Sequence, residues 1–179
     1  MDILYLEKWT RSPIAGRRRK AIRLLTKHAL HGRYNTSKLY EIIDKAMNDD
    51  DWSVRATAIS SLAMLGLRSS EAGERALTIL QGLLDKEKHH NVIGNILRGL
   101  SRLIAKYGRD NTDNLLRSCM SLINDPNNDV RHGSMMLLTT IGLIDDRHVN
   151  DIASRFREIY NALPPLLKRE ILVHMRRLY

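Results

Sequence analysis

The chain has 179 residues, 43% of them hydrophobic and 5% aromatic, and a formal net charge of +9 at pH 7. This composition favours a helical protein rich in Leu, Ile and Ala over a β-sandwich, and the sequence has no run of 18 apolar residues that would span a membrane. A single cysteine, Cys119, excludes a disulfide framework and favours a reducing compartment, so we expect a cytoplasmic protein with Cys119 buried as a small hydrophobic side chain.

Apolar residues recur with helical period along the whole chain, and turn signals divide them at regular intervals. Ten helices are predicted, near residues 2–11, 14–32, 35–47, 52–67, 71–85, 90–107, 111–124, 129–143, 147–162 and 165–178, with no strand. Thr36 or Ser37 is expected to cap the third helix, and Asp129 to cap the eighth. Gly66 and Gly142 are expected to end two helices in the left-handed conformation.

The helices form pairs that repeat with a period of 38 residues. One column holds Leu24, Leu62, Leu100 and Leu138, and a second holds Ala21, Ile59, Leu97, Met135 and Val173. Such a period predicts stacked units, because one unit cannot bury its apolar face alone. We therefore expect a single domain over residues 1–179, with repeats near 1–33, 34–69, 70–109, 110–144 and 145–179.

Two pairs share an acidic turn, a Val-Arg dipeptide, a helix of small and apolar residues, and a glycine. The pattern is formed by Asp51, Val54, Arg55 and Gly66 in one pair and by Asp129, Val130, Arg131 and Gly142 in the other. It resembles the HEAT repeat, which the third pair matches more loosely. The resemblance implies an all-α, right-handed α-solenoid of about five HEAT-like helical hairpins, whose second helices line the concave side. It also implies a hydrogen-bonded ladder between adjacent repeats, formed here by Arg17, Arg55, Arg131, Arg169, Asp51 and Asp129.

Basic residues are concentrated on the second helix of each pair. Residues 14–33, 52–69, 90–109, 130–144 and 166–179 together hold 18 Lys or Arg and one acid, Glu170. If these helices line the concave side, the inner surface is positive. Two stripes lack an acidic partner at helical spacing, so they are either a solvated basic face or a contact for nucleic-acid phosphates or for an acidic protein or lipid surface, and we expect them to contact an anionic partner. They comprise Arg19, Lys20, Arg23 and Lys27 in the first repeat and Arg98, Arg102 and Lys106 in the third.

Stacked repeats present a broad surface and no single cleft, so the sequence favours binding over catalysis. We expect a non-enzymatic interaction scaffold that binds an acidic partner protein through its basic concave surface. Binding to a nucleic-acid backbone is an alternative, although the aromatic residues are not interleaved with the basic stripes. A HEAT-like DNA glycosylase is a third alternative, for which the concave helices offer only Glu170 as a carboxylate.

No cofactor or metal site and no catalytic residue is predicted. The sequence has no Gly-rich phosphate loop, no Cys-x-x-Cys motif and no nucleophile elbow. None of the seven histidines precedes a glutamate, which excludes the repeated His-Glu motif of HEAT-like diiron hydroxylases. The last helix is amphipathic, with Leu167, Ile171, Leu172 and Met175 on its apolar side. This side is expected either to pack inward or to form a homodimer contact.

Overall fold

The computed structural model describes residues 2–108, 112–162 and 165–178, and ten α-helices and one 3-10 helix lie within these ranges. The α-helices are α1 (Ile3–Trp9), α2 (Ala15–Leu30), α3 (Thr36–Ala46), α4 (Trp52–Gly66), α5 (Ser70–Leu84), α6 (His90–Tyr107), α7 (Asp113–Leu122), α8 (Asn128–Ile144), α9 (Val149–Ala162) and α10 (Pro165–Leu178). The short 3-10 helix, Asp146–His148, precedes α9. All ten predicted helices are thus confirmed, and the described ranges contain no strand.

The helices form two layers. The even-numbered helices, here called the inner layer, contact one another in the order α2, α4, α6, α8, α10. Each odd-numbered helix, in the outer layer, packs on the even-numbered helix that follows it, and α3, α5 and α9 also pack on the one before. Contacts between outer helices are marginal by comparison. A stack whose units lie closer together in one layer is expected to curve toward that layer, which here would place the inner layer on the concave side.

The core is continuous from Leu6 in α1 to Ile171 in α10. Inner helices are buried on several sides because each lies between two inner neighbours and its outer partner. In α4, nine of the fifteen residues are buried. Cys119 in α7 is fully buried, as expected, and burial raises the pKa of its thiol, so the thiolate is disfavoured. Within the described ranges, no helix combines the length and hydropathy needed to cross a bilayer.

Helix starts differ in detail from the sequence expectations. The cap of α3 is Asn35, whose Oδ1 accepts a hydrogen bond from the Lys38 N–H at 2.9 Å, and neither Thr36 nor Ser37 takes this role. Asn127, two residues before Asp129, caps α8 in the same way. Asn and Asp are comparably good caps, so the sequence alone does not choose between neighbouring candidates.

Gly66 and Gly142 do not end their helices in the left-handed conformation. Within the described ranges, positive φ angles occur at Gly32 and Gly108, at 70° and 65°. Gly66 instead permits close packing, because a Cβ there would lie 2.8 Å from the Cβ of Ala76 in α5. A Cβ on Gly142 would likewise lie 2.7 Å from a methyl carbon of Leu178.

The 38-residue register holds for the three central repeats and shifts at both ends. In the first repeat, Leu25 is fully buried whereas Leu24, which the register aligns with Leu62, is partly exposed. In the last repeat, Val173 is exposed and Ile171 is buried. The spacing between equivalent buried positions therefore departs from 38 residues at both ends of the stack.

Candidate interaction surface

An arginine ladder joins consecutive repeats at the turn before each inner helix. Arg18 donates from Nε and Nη2 to the carboxylate of Asp49, both at 2.7 Å, while its Nη1 donates to the carbonyl oxygens of Ser12 and Pro13. The ladder residue in the first repeat is therefore Arg18 and not Arg17, in keeping with the one-residue shift of register. Hydrogen bonding to Asp49 raises the pKa of Arg18, so the guanidinium stays charged.

Arg55 makes the same set of bonds one repeat later. It donates to both carboxylate oxygens of Glu87, at 2.9 and 3.0 Å, and to the carbonyl oxygens of Asp49 and Asp50. Burial alone would raise the pKa of Glu87, but hydrogen bonds from Arg55 and from the His89 N–H outweigh it and lower the pKa. Each ladder arginine thus fixes its own turn and clamps the turn of the next repeat.

The ladder changes in the later repeats. Arg131 is buried and donates to the carbonyl oxygen of Asp125 at 3.0 Å and to Asn128. The third repeat has Ile93 in place of the arginine, and His90 lies 3.4 Å from the Asp125 carboxylate instead. Arg169 is exposed.

The two aspartates expected in the ladder have other contacts. Asp51 caps α4 through the N–H groups of Ser53 and Val54. The Ser53 hydroxyl also donates to Asp51 and is the main cause of its lowered pKa. Asp129 lies 3.3 Å from Arg98 of the preceding repeat. The ladder acids are therefore Asp49 and Glu87, which the sequence did not single out.

Replacing Glu87 with Gln is expected to lower the free energy of unfolding by about 1.5 kcal/mol at pH 7, because a largely buried charge-assisted pair is lost. Because folding lowers the pKa of Glu87, its carboxylate stabilises the fold at pH values above 4.5, the ordinary pKa of this group. This stabilisation is lost as the pH falls through the folded-state pKa. Urea unfolding at a series of pH values should show that the unaltered protein and the Glu87→Gln variant differ in free energy of unfolding at pH 7 and that this difference disappears in acid. Asp85→Asn, at an exposed neighbouring position, is the matched control and should leave stability unchanged. Equal stability of Glu87→Gln and the unaltered protein at pH 7 would contradict this role.

A groove of about 330 Å³ lies on the inner layer where α2, α4 and α6 meet. Its lining, here called the inner groove, consists of Arg19, Arg23, Trp52, Ser53, Ala56, Thr57, Ser60, Ser61, Met64 and Asn95. None of these ten residues is acidic. Ser53, Thr57, Ser60 and Met64 follow one stripe of α4 and form an uncharged floor.

Of the three basic side chains predicted to form a stripe on α6, two form an ion pair or a hydrogen bond with other described residues and one does not. Asn95, Arg98, Arg102 and Lys106 share one face of α6 by helical spacing, so Arg102 lies on the face that borders the inner groove. Arg98 is paired with Asp129, and the Lys106 ammonium donates to the carbonyl oxygen of Leu67 at the end of α4. A cation at a helix C-terminus stabilises the helix dipole, which gives Lys106 a structural role.

The basic side chains predicted to form a stripe on α2 also point in different directions. Arg19 and Arg23 line the inner groove, whereas Lys20 lies over the ring of Trp9 in α1, with its Nζ 5.7 Å from the ring centroid. Arg17 lies over the same ring at 5.5 Å. Lys27 is exposed on the part of the α2 surface between the side that faces the inner groove and the side that faces Trp9. The structure therefore places Arg19 and Arg23 in the inner groove and turns Lys20 toward Trp9, while helical spacing alone relates Arg102 to the groove.

Exposed cations of the inner layer belong to alternate helices. The one Lys or Arg of α4, Arg55, is bound to Glu87, and that of α8, Arg131, is buried. Basic side chains on α2, α6 and α10 are thus separated by uncharged inner faces on α4 and α8. Such a surface suits an elongated ligand that meets positive charge at intervals.

Two further contacts between repeats were not evident from the sequence. Trp52 stacks on His89, the residue that precedes α6, with ring centroids 4.6 Å apart and planes 9° from parallel. Trp52 is still 41% exposed. Arg68 donates to the carbonyl oxygen of Ala29 at the end of α2, as Lys106 does one repeat later. The 38-residue separation of Arg68 and Lys106 is the signal that could have revealed this second ladder.

The sequence model that describes HEAT repeats matches residues 6–101, more than half of the chain. The chain belongs to the HEAT-repeat family. The matched range runs from α1 into α6 and includes both Arg18 and Arg55 of the ladder. No curated protein gave a significant match.

Solved structures with similar folds support a HEAT- or armadillo-like solenoid. A designed armadillo repeat protein has a TM-score of 0.62 at 14% identity, covering 97% of this chain and 81% of its own. An engineered protein has a TM-score of 0.67 at 17% identity, covering 99% and 78%. An armadillo repeat protein designed computationally for modular peptide recognition has a TM-score of 0.58 at 16% identity, covering 97% and 81%. At these identities the likeness concerns the fold.

Proposed function

We propose that this HEAT-repeat protein is a non-enzymatic scaffold that binds an acidic segment of a partner protein in the inner groove. The observation that carries the proposal is the pair Arg19 and Arg23, which line a concave groove that contains no acidic residue. Neither side chain forms an ion pair or a hydrogen bond within the described part of the chain. Their guanidinium groups are therefore available for bidentate bonds to carboxylates.

The floor of the groove suits an extended backbone. Ser53, Thr57 and Ser60 offer hydroxyl oxygens along α4, and Asn95 adds an amide from α6. Beyond them, Arg102 supplies positive charge on the next basic helix. Inner helices in contact lie about 8–10 Å apart, so a segment crossing from α2 to α6 spans about 20 Å, or about six extended residues. Likeness to a protein designed for peptide recognition supports this mode of binding.

A peptide of about 20 residues with alternating Glu and Gly, labelled with fluorescein, tests the proposal by anisotropy. We expect micromolar affinity at low salt and a loss of about tenfold or more between about 50 and 500 mM NaCl, because screening weakens exposed charge pairs. The matched peptide with Gln in place of Glu should not bind. Equal affinity for the two peptides would contradict the proposal.

Single-stranded nucleic acid is the second candidate ligand, and one contact favours it. Trp52, which the sequence placed apart from the basic stripes, lies in the same groove as Arg19 and Arg23 and keeps an exposed surface on which a base could stack. A thymidine oligonucleotide in the same anisotropy assay separates the candidates. Affinity more than tenfold above that of the acidic peptide would replace the protein partner with nucleic acid. The glycosylase alternative rested on Glu170, whose side chain lies outside the described residues.

The remaining expectations stay proposals. We propose a single cooperative domain over residues 1–179, a cytoplasmic location, and no requirement for a metal or cofactor. A homodimer through α10 also stays a prediction: Leu172 and Val173 are exposed, although Arg169 and Arg176 flank them and would repel a second copy at close range. Light scattering measures the mass in solution directly.

A further inference from the structure

Large apolar side chains are exposed at the first end of the solenoid. Leu4 and Tyr5 on α1 have 67% and 54% of their surface exposed, and Ile14, just before α2, has 52%. Trp9 adjoins Tyr5, with ring centroids 5.5 Å apart. Exposed apolar side chains can mark an interaction site, and these four residues are here called the N-terminal patch.

Cations surround the N-terminal patch. Arg17 and Lys20 lie over the Trp9 ring, and Lys8 is exposed in the last turn of α1. No acidic residue occurs between residues 8 and 40. The patch is therefore apolar at its centre and positive at its rim.

The two acids of α1 and its cap are already engaged. Glu7 points to the other side of the helix, where it pairs with Lys38 at 2.7 Å and accepts a hydrogen bond from the Tyr34 hydroxyl at 2.9 Å. Asp2 caps α1 by accepting a hydrogen bond from the Leu4 N–H at 3.1 Å. Glu7 therefore faces away from Trp9, and Asp2 lies at the opposite end of α1 from Trp9.

The exposure of Ile14 is built into the fold. Arg18, held by Asp49, donates to the carbonyl oxygens of Ser12 and Pro13 at 2.8 and 3.1 Å. These bonds fix the loop that carries Ile14. Leu6, on the opposite side of α1, is fully buried and anchors the helix. The apolar groups are thus held outward on a supported surface.

We propose that the N-terminal patch docks on the surface of a bilayer that contains anionic lipids. Trp and Tyr favour the headgroup region, where one part of the ring is apolar and the other is hydrated, and Leu4 and Ile14 would enter the acyl boundary beside them. The surrounding Lys and Arg side chains complement phosphatidylserine headgroups. The same charges oppose contact with the patch of a second copy. This inference is independent of the inner groove.

Vesicle binding tests the proposal in a Trp52→Phe background, where Trp9 is the only tryptophan. Vesicles with about 30% phosphatidylserine should shift the Trp9 emission to the blue, and lipids brominated near the headgroup should quench it, whereas pure phosphatidylcholine should do neither. Leu4→Ser with Tyr5→Ser should reduce partitioning about tenfold or more, because two exposed apolar groups no longer enter the membrane. Leu143→Ser, at an exposed leucine on α8, is the matched control and should partition normally.

Several results would overturn the membrane site. They are the absence of binding to anionic vesicles, partitioning of the Leu4→Ser, Tyr5→Ser variant within twofold of its parent, or an equal loss with Leu143→Ser. A Trp9 shift caused by a soluble acidic peptide and not by vesicles would assign the patch to a protein partner instead. Circular dichroism checks that the variants stay folded, and quenching in the Trp52→Phe parent needs no change in the patch.

Discussion

Replacing Gly94 with Ala is expected to lower the free energy of unfolding by about 2 kcal/mol. Gly94 lies where α6 crosses α8, and a Cβ there would lie 2.9 Å from the carbonyl oxygen and 3.0 Å from the carbonyl carbon of Asp129. The obstacle is backbone at the start of α8, so no side-chain rotation relieves it. Overpacking of this kind costs about 3 kcal/mol, and the better helix propensity of Ala returns about 1.

Substitution of Gly82 provides a control for which the free energy of unfolding is expected to change in the opposite direction. It lies inside α5 and faces open space, with no atom within 4 Å of the position that a Cβ would take. Gly82→Ala should therefore raise the free energy of unfolding by about 0.5–1 kcal/mol. Urea unfolding of both variants measures the difference between two identical chemical changes. Equal effects of the two substitutions would show that α6 and α8 can move apart freely.

Reversing one charge in the inner groove and one beyond it on α6 is expected to weaken binding of the acidic peptide about 100-fold, or about 2.7 kcal/mol. The variant is Arg23→Glu with Arg102→Glu, one residue on α2 and one on α6. Each reversal removes an attraction and adds a repulsion. Neither arginine has an ion-pair partner in the described part of the chain, so the unfolding midpoint should change little.

Lys86→Glu with Arg117→Glu is the matched control for that variant. Both residues are exposed, one at the turn after α5 and the other on α7, and the substitution changes the net charge by the same amount. Its affinity for the peptide should stay within about threefold of the unaltered protein, since distant charges are screened. A comparable loss in both double variants would mean that net charge, and not the groove, governs binding.

The sequence predicted the helices well because their apolar periodicity is strong. Of the arginines expected in a ladder, Arg55 contacts the next repeat through Glu87, whereas Arg131 contacts its own turn. The sequence misplaced the first ladder residue because Arg18 precedes its counterpart Arg55 by one residue less than the 38-residue period, which a fixed period does not detect.

The pairing of Arg98 with Asp129, 31 residues later, was also missed because helical spacing reveals partners within one helix only. The hydrogen bond from Lys106 to the carbonyl oxygen of Leu67 was missed because it depends on where α4 ends beside α6.

The groove was partly predictable for the same reasons. Arg19, Arg23 and Arg102 follow from helical spacing on inner helices. Trp52 was not expected beside them because its position depends on the packing of α4 between α2 and α6. The stack of Trp52 on His89 similarly joins two repeats, and the sequence treated those residues separately.

Side-chain NMR of arginine tests the binding surface most directly. The Nε–H resonances of Arg19, Arg23 and Arg102 should shift when the acidic peptide is added to the labelled protein. Those of Arg18 and Arg55 should not, because their guanidinium groups are already bound to Asp49 and Glu87. Shifts confined to outer-layer arginines such as Arg75 and Arg117, with none in the inner groove, would contradict the account.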